Sequence, residues 1–191
     1  GRAMFICYRE ESLRTAIRRA LEAFPDRPVL IDHFLENAYE FDVDAVADGE
    51  QVVIGGVMQH IEEAGVHSGD SSCVLPPYTI TNEQFDMLTS FTKKLAKRLN
   101  VIGLLNIQYA MQNGNIYVIE VNPRASRTVP FVAKATGVQL AQFATRIMLG
   151  EKIQDLGIRD FSLSAKRVAI KESVFPFMKF QKANIFLGPE M

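Results

Sequence analysis

"GLLNIQYAMQNGNIYVIEVN", residues 103–122, decides the fold. Two apolar-rich runs flank Asn113, Gly114 and Asn115, and both alternate, as two antiparallel strands joined by a tight turn do. In the first run Ile107, Tyr109 and Met111 share one face, and Asn106, Gln108 and Ala110 share the other. In the second, Tyr117, Ile119 and Val121 share a face, opposite Ile116, Val118, Glu120 and Asn122. A two-residue turn would set Gln108 across from Ile119 and mix the faces. A three-residue loop, 113–115, sets Gln108 across from Glu120 and segregates them, so it is the expected connection. Tyr117, Ile119 and Val121 are then expected on the core. Glu120 does not interrupt the strand; it belongs to the strand's polar side.

Outward from this hairpin the chain reads as α+β with antiparallel sheets and packed helices. Residues 10–24 carry Leu13, Ala16, Ile17, Ala20, Leu21 and Phe24 at helical spacing. "VLIDHFL", 29–35, reads as a short strand running into a loop. Residues 39–63 read as a hairpin turning at Asp48-Gly49, with Gly55-Gly56 marking a bulge. In its first strand Asp42 and Asp44 alternate with Phe41 and Val43 and are expected to face solvent. Residues 64–79, rich in Gly, Ser and Pro, read as a loop. Thr81 and Gln84 form a capping box for a helix whose buried stripe is Phe85, Leu88, Phe91, Leu95 and Leu99. A further helix is expected at about 139–149, and 151–191 is less patterned.

The bulk numbers exclude several classes. At 191 residues, 48% hydrophobic and 23% charged, the chain is an ordinary globular composition with room for one or two domains. A net charge of −1 recruits neither nucleic acid nor anionic membrane. The basic residues Arg14, Arg18 and Arg19 read as an exposed helix face without interleaved aromatics. No apolar run approaches the roughly 18–20 residues that span a bilayer. Cys7 and Cys73 make neither a disulfide framework nor a zinc cluster, which points to packed thiols in a reducing, cytoplasmic setting.

Gln108, Glu120 and Asn122 converging on one face offer hard oxygen donors with a single formal charge. That set suits Mg2+ or Mn2+, which keep waters and take further oxygens from phosphate, and it does not suit zinc. A solvated polar sheet face is the plain alternative. Arg124 and Arg127 follow directly, and two guanidinium groups beside a metal are what phosphoryl transfer needs, because that chemistry is mostly positioning and charge neutralisation.

"NIQYA…IYVIEVNPRASRTVPFVAKATGV", with "EEAGVHSGDSSCVLPPYT" and "LIDHFLENAYEFDVDA", resembles the carbamoyl-phosphate synthase large chains, in the later two-thirds of an ATP-grasp domain. "HFLENAYEFDVDA" and "RTVPFVAKATG" are similar to the second half of those chains, which phosphorylates carbamate. The resemblance implies ATP and two Mg2+ or Mn2+ ions, with Gln108, Glu120 and Asn122 as metal ligands and Glu120 bridging. It implies Arg124 and Arg127 at the transferred phosphate, His33 and Leu35 at the adenine, and Glu40 at the ribose hydroxyls. Gly65, Val66, His67 and Ser68 would line the same site, and Arg2 would end a glycine-rich phosphate loop. Gln108 and Glu120 would thus meet both nucleotide and metal.

The implied partners are ATP and carbamate, the remainder of the large chain, and a glutaminase small subunit, within pyrimidine or arginine biosynthesis. The implied organisation is a partial small subdomain, 1–75, and a C-terminal subdomain with the metal site, 76–191. Because the family's first subdomain and most of its glycine-rich loop would lie upstream of Gly1, the isolated chain is expected to be a fragment, inactive alone. A folded non-catalytic assembly module and another ATP-grasp ligase, such as a biotin carboxylase or a peptide-type ligase, are the competing readings. The "EEAGVHSGDS" loop argues against the latter.

Overall fold

A computed structural model describes residues 4–164, 167–176, 178–179 and 185–188. In chain order the described elements are α1 (Glu10–Ala23), β1 (Tyr39–Asp48), β2 (Val52–His60), β3 (Cys73–Leu75), α2 (Asn82–Arg98), β4 (Ile102–Gln112), β5 (Asn115–Asn122), α3 (Val129–Thr136), α4 (Leu140–Met148), α5 (Ile153–Leu156) and β6 (Ala169–Lys171). Among the described residues the six strands form one sheet, ordered β5-β4-β1-β2-β3-β6, and each pairing is antiparallel. The division expected at residues 75 and 76 falls inside this sheet: β1 to β3 precede it, β4 to β6 follow it, and β1 pairs with β4 along its length. A strand has two edges to satisfy, and β1 gives one to β2 and the other to β4.

Alternation along β1 places two cores on opposite faces. Phe41, Val43, Ala45 and Ala47 join Ile107, Tyr109 and the α2 residues Phe85 and Leu88 in one. Val46 joins Leu75, Val132, Leu140 and Ala144 in the other, which α3 and α4 cover. Thr81 accepts from the Gln84 N–H and Gln84 answers at the Thr81 N–H, so the box starts α2 as its spacing predicts. The α2 stripe ends earlier than its periodicity suggests: Phe85, Leu88, Thr92 and Ala96 are buried, whereas Leu99 is the exposed C-cap.

Residues 29–35 are not a strand. They pair with neither outer edge of the sheet, β5 or β6, and the segment runs largely exposed along the cleft described below. The loop over 64–79 contains β3, a strand too short for alternation to reveal.

The decisive hairpin reaches the expected pairing by another route. Gln108 does stand across from Glu120, and Asn106 across from Asn122. Yet the connection is a two-residue turn, Asn113-Gly114, with φ of 52° and 80° and Gln112 paired to Asn115. The missing residue is supplied by a bulge: Tyr109 faces Val118 while Gln108 faces Glu120, leaving Ile119 as the extra residue. Parity therefore switches within β5. Ile116 and Val121 pack on the first core, Ile119 turns to the cleft, and Tyr117 pairs with Ala110, so neither Tyr117 nor Ile119 takes the expected core place.

A second bulge lies in β2, where Asp44 pairs with Gly56 and Ala45 with Ile54, so Gly55 is unpaired. A Cβ there would sit 2.5 Å from both methyl carbons of the fully buried Leu140. Gly55→Ala is expected to lower stability by about 1–3 kcal/mol through overpacking, read as a lower urea midpoint with an unchanged slope.

Candidate functional site

A cleft of about 1400 Å3 opens on the face of the sheet carrying Glu40, Asp42, Asn106 and Gln108. Its floor comes from β4 and β5. Gln108, Glu120 and Asn122 line it together, and Arg124 and Arg127 follow from the loop ahead of α3. Its walls come from α1, the extended segment with His33 and Leu35, and the turn with Gly65, Val66, His67 and Ser68. Glu40, at the start of β1, also lines it. One concavity thus brings together each expected site residue except Arg2, which lies outside the described residues.

Local contacts hold these side chains. Gln108 Nε2 donates to Ser68 Oγ at 2.8 Å, tying the sheet floor to the 65–68 turn, and Lys171 Nζ donates to the Ser68 carbonyl at 3.1 Å. Arg124 Nη2 donates to Asn122 Oδ1 at 3.0 Å. Gly69 N–H donates to His67 Nδ1 at 3.1 Å, and Arg127 Nη2 lies 3.5 Å from His67 Nε2. Partial burial, then the neighbouring Arg127 charge, hold the His67 pKa below its usual value, so this imidazole is neutral near pH 7.

Gly69 gives Arg127 its place. A Cβ there would lie 2.7 Å from Arg127 Nη1. Because the obstructed atom is the end of a flexible side chain, Gly69→Ala is expected to move the guanidinium and leave the fold intact. The melting temperature should stay unchanged, and if Arg127 meets the reacting group, as proposed below, turnover of the full-length protein should fall about tenfold or more.

Asp42 and Asp44 do not face solvent. Both are buried: the loop before α3 covers Asp44 through Ser126 and Thr128, and Asp42 packs beside His60 of the neighbouring strand β2. Asp44 accepts from Asn106 Nδ2, Ser126 Oγ and Thr128 Oγ1 at 3.0, 2.8 and 2.6 Å. Burial raises its pKa to about 6 despite these hydrogen bonds. Asp42 Oδ2 lies 3.0 Å from His60 Nε2, and Glu40 Oε2 lies 3.8 Å from His60 Nδ1. Burial works against a charge on His60, but hydrogen bonds to Asp42 and Cys73 outweigh it and push its pKa up to about 10. Glu40 is raised by burial, with His60 opposing. The burial of these acids, and His60 altogether, escaped the sequence reading. Their signal was the shared parity of Glu40, Asp42 and Asp44 with Asn106 and Gln108, legible only once β1 is known to pair with β4.

The oxygen donors fit a hard cation only in part by themselves. Glu120 is exposed and has no hydrogen-bond or ion-pair partner among the described residues. Gln108, having given its N–H to Ser68, keeps its carbonyl oxygen, and Asn122 shares its own with Arg124. One carboxylate and two amides make a weak cage, so a metal here would also draw on phosphate oxygens. Among the described residues no helix is long and apolar enough to cross a membrane.

Comparison with known proteins gives this arrangement a context. A family model described as carbamoyl-phosphate synthase L chain, ATP binding domain, matches residues 1–156. The chain is 57% identical over 191 residues to the carbamoyl phosphate synthase large chain of Archaeoglobus fulgidus, all of this chain and 18% of that protein. It is 52% identical over 201 aligned positions to the C-terminal section of that large chain in Methanocaldococcus jannaschii, covering 32% of it. It therefore spans a fifth to a third of these relatives. Among solved structures, the biotin carboxylase domain of a 2-oxoglutarate carboxylase from Hydrogenobacter thermophilus, in complex with MgADP, ADP and bicarbonate, superposes with a TM-score of 0.66 at 23% identity, over 83% of this chain and 35% of that one. The bicarbonate-bound form of such a domain gives 0.65 at 24%, over 78% and 35%. At these identities the likeness shows the fold alone, and that fold is ATP-grasp.

Proposed function

Because the chain belongs to the carbamoyl-phosphate synthase large-chain ATP-binding family, we propose that it forms part of the domain in which its parent protein transfers the ATP γ-phosphate to carbamate, giving carbamoyl phosphate. The observation that carries the reading is the bulged hairpin, which sets Gln108 directly across from Glu120 on the floor of a cleft shared with Asn122, Arg124 and Arg127.

In this reading His33 and Leu35 hold the adenine, Glu40 the ribose hydroxyls, and residues 65–68 close over the nucleotide. Gln108, Glu120 and Asn122 would hold two Mg2+ or Mn2+ ions, which when bound neutralise phosphate oxygens and act as Lewis acids. Arg124 and Arg127 stabilise charge on the transferred phosphoryl group and orient the acceptor carboxylate. The walls exclude water from a labile carbamate and a reactive acyl phosphate. No covalent protein nucleophile is needed. Arg2 would complete the phosphate contacts, and the small, 1–75, and C-terminal, 76–191, subdomains would be retained as contributors to the two sides of the cleft. The remainder of the large chain, a glutaminase small subunit, a cytoplasmic setting and service to pyrimidine or arginine synthesis belong to the same proposal.

Full-length protein should convert carbamoyl phosphate and Mg-ADP into ATP, the reverse of the proposed step. Failure to do so with folded protein would overturn the assignment.

A second reading applies to the 191 residues alone: a folded, non-catalytic fragment or assembly module. It is favoured by α1, which has an apolar stripe but no buried residue. Calorimetric titration with Mg-ADP should show weak binding or none, and ATP turnover by this chain alone would sink the reading.

A further inference from the structure

Arg127 stands between two hydroxyl residues that share one buried carboxylate. Ser126 Oγ donates to Asp44 Oδ1 at 2.8 Å, Thr128 Oγ1 donates to Asp44 Oδ2 at 2.6 Å, and the two hydroxyl oxygens are 2.7 Å apart. Asn106 Nδ2 meets Asp44 Oδ1 at 3.0 Å, so both carboxylate oxygens are committed. The atoms close a ring that ties both chain neighbours of Arg127 to one carboxylate, fully buried at Asp44 and nearly so at Thr128.

Thr128 is also the N-cap of α3. A threonine there ordinarily accepts from a free N–H in the first helical turn, worth about 1 kcal/mol of helix stability. It makes no such bond here: Thr128 already has helical backbone angles, φ −84° and ψ −20°, and Pro130 in the first turn has no N–H to offer. Its hydroxyl hydrogen goes instead to Asp44, a contact that fixes where the arginine-bearing loop leaves the sheet. From the other side, Arg127 is confined by His67 and by the space that Gly69 leaves open.

We propose that Asp44 is a positioning residue, which through Ser126 and Thr128 sets the place of the Arg127 guanidinium in the cleft. The inference rests on the phosphoryl-transfer reading above. Asp44 itself touches neither substrate nor metal. Its effect is on the geometry of a charge that must meet the transferred phosphoryl group.

The test uses full-length protein and ATP formation from carbamoyl phosphate and Mg-ADP. The double variant Ser126→Ala/Thr128→Val removes both hydroxyls and leaves the buried Asp44 carboxylate with Asn106 as its remaining donor, so its fold is checked by urea titration, and Asp44→Asn is its isosteric, uncharged companion. The double variant should lose roughly 10- to 100-fold in kcat with KM for Mg-ADP changed less than about twofold, the signature of a misplaced group acting on the transition state. In an Arg127→Lys background the same pair of substitutions should cost less than about threefold, because the geometry they protect is already lost. A double variant with near-normal kcat overturns the inference. So does an equal loss in both backgrounds, which would mean that the network supports the fold and not the arginine. Should Asp44→Asn fail to fold, the hydroxyl variants carry the test alone. Wild-type protein without ATP formation sinks the functional reading and this inference together, whereas active wild type with active variants sinks this one only.

Discussion

Glu120→Gln is expected to lower ATP formation from carbamoyl phosphate and Mg-ADP by about a thousandfold, while moving stability by less than about 0.5 kcal/mol. The two halves of that expectation have separate grounds. Glu120 is exposed on the cleft floor and has no hydrogen-bond or ion-pair partner among the described residues, so the fold loses nothing with its charge. It is also the one carboxylate among the proposed metal donors. Glutamine keeps the shape and removes the negative charge that would hold a divalent ion beside the phosphates. Initial rates, with a urea titration on the same preparation, separate the two. Near-normal turnover would remove Glu120 from the metal site.

Asp42→Asn should have the opposite profile, lowering stability by about 3–5 kcal/mol, because it removes the hydrogen-bonded counter-charge of the buried His60 and leaves only the more distant Glu40, at 3.8 Å. Replacing both partners, as Asp42→Leu/His60→Leu, should recover much of that loss, since the cost lies in the orphaned charge and not in the missing pair. Urea denaturation at pH 7 measures each.

The same pair sets a pH dependence. The His60 pKa is raised in the fold, so the folded state binds its proton more tightly than the unfolded chain does. Its contribution is complete below the unfolded value near 6.5 and disappears as pH rises toward about 10. Wild-type stability should therefore fall across that window, by up to about 1.4 kcal/mol per pH unit. Asp42→Asn should flatten the slope. Asp44, an acid raised to about 6, adds a separate decline from pH 3.8 to about 6, because there the folded state holds the proton that the unfolded chain has released. A flat profile from pH 6.5 to 10 in wild type would show that His60 is not charged in the fold.

The candidate site was legible to different depths in different places. Opposition of Gln108 and Glu120 follows from segregating polar and apolar faces, and the structure keeps it. The route did not follow: a three-residue loop, and a two-residue turn with a bulge at Ile119, give the same pairing below Tyr109 and differ only above it. Those alternatives part company at Tyr117 and Ile119, and there the expectation of core packing failed. The strand expected over 29–35 failed for a related reason. Strand propensity describes what a segment tolerates, whereas a strand needs a partner edge.

What the sequence determined by itself was local: the alternation of β1 and β4, the Thr81–Gln84 cap, a chain reversal within residues 113–115, and motifs long enough to imply the family. These depend on residues within a few positions of one another. Tertiary structure alone decided that Asp42, Asp44 and His60 are buried, that Ser126 and Thr128 serve a carboxylate some 80 residues upstream, and that Arg127 rests against Gly69. Alternation assigns a side chain to a face of the sheet. Whether that face meets water or protein depends on which distant segment covers it; burial turns an ordinary aspartate into a perturbed acid, and the Asp42 carboxylate, against the cost of burial, holds a proton on His60.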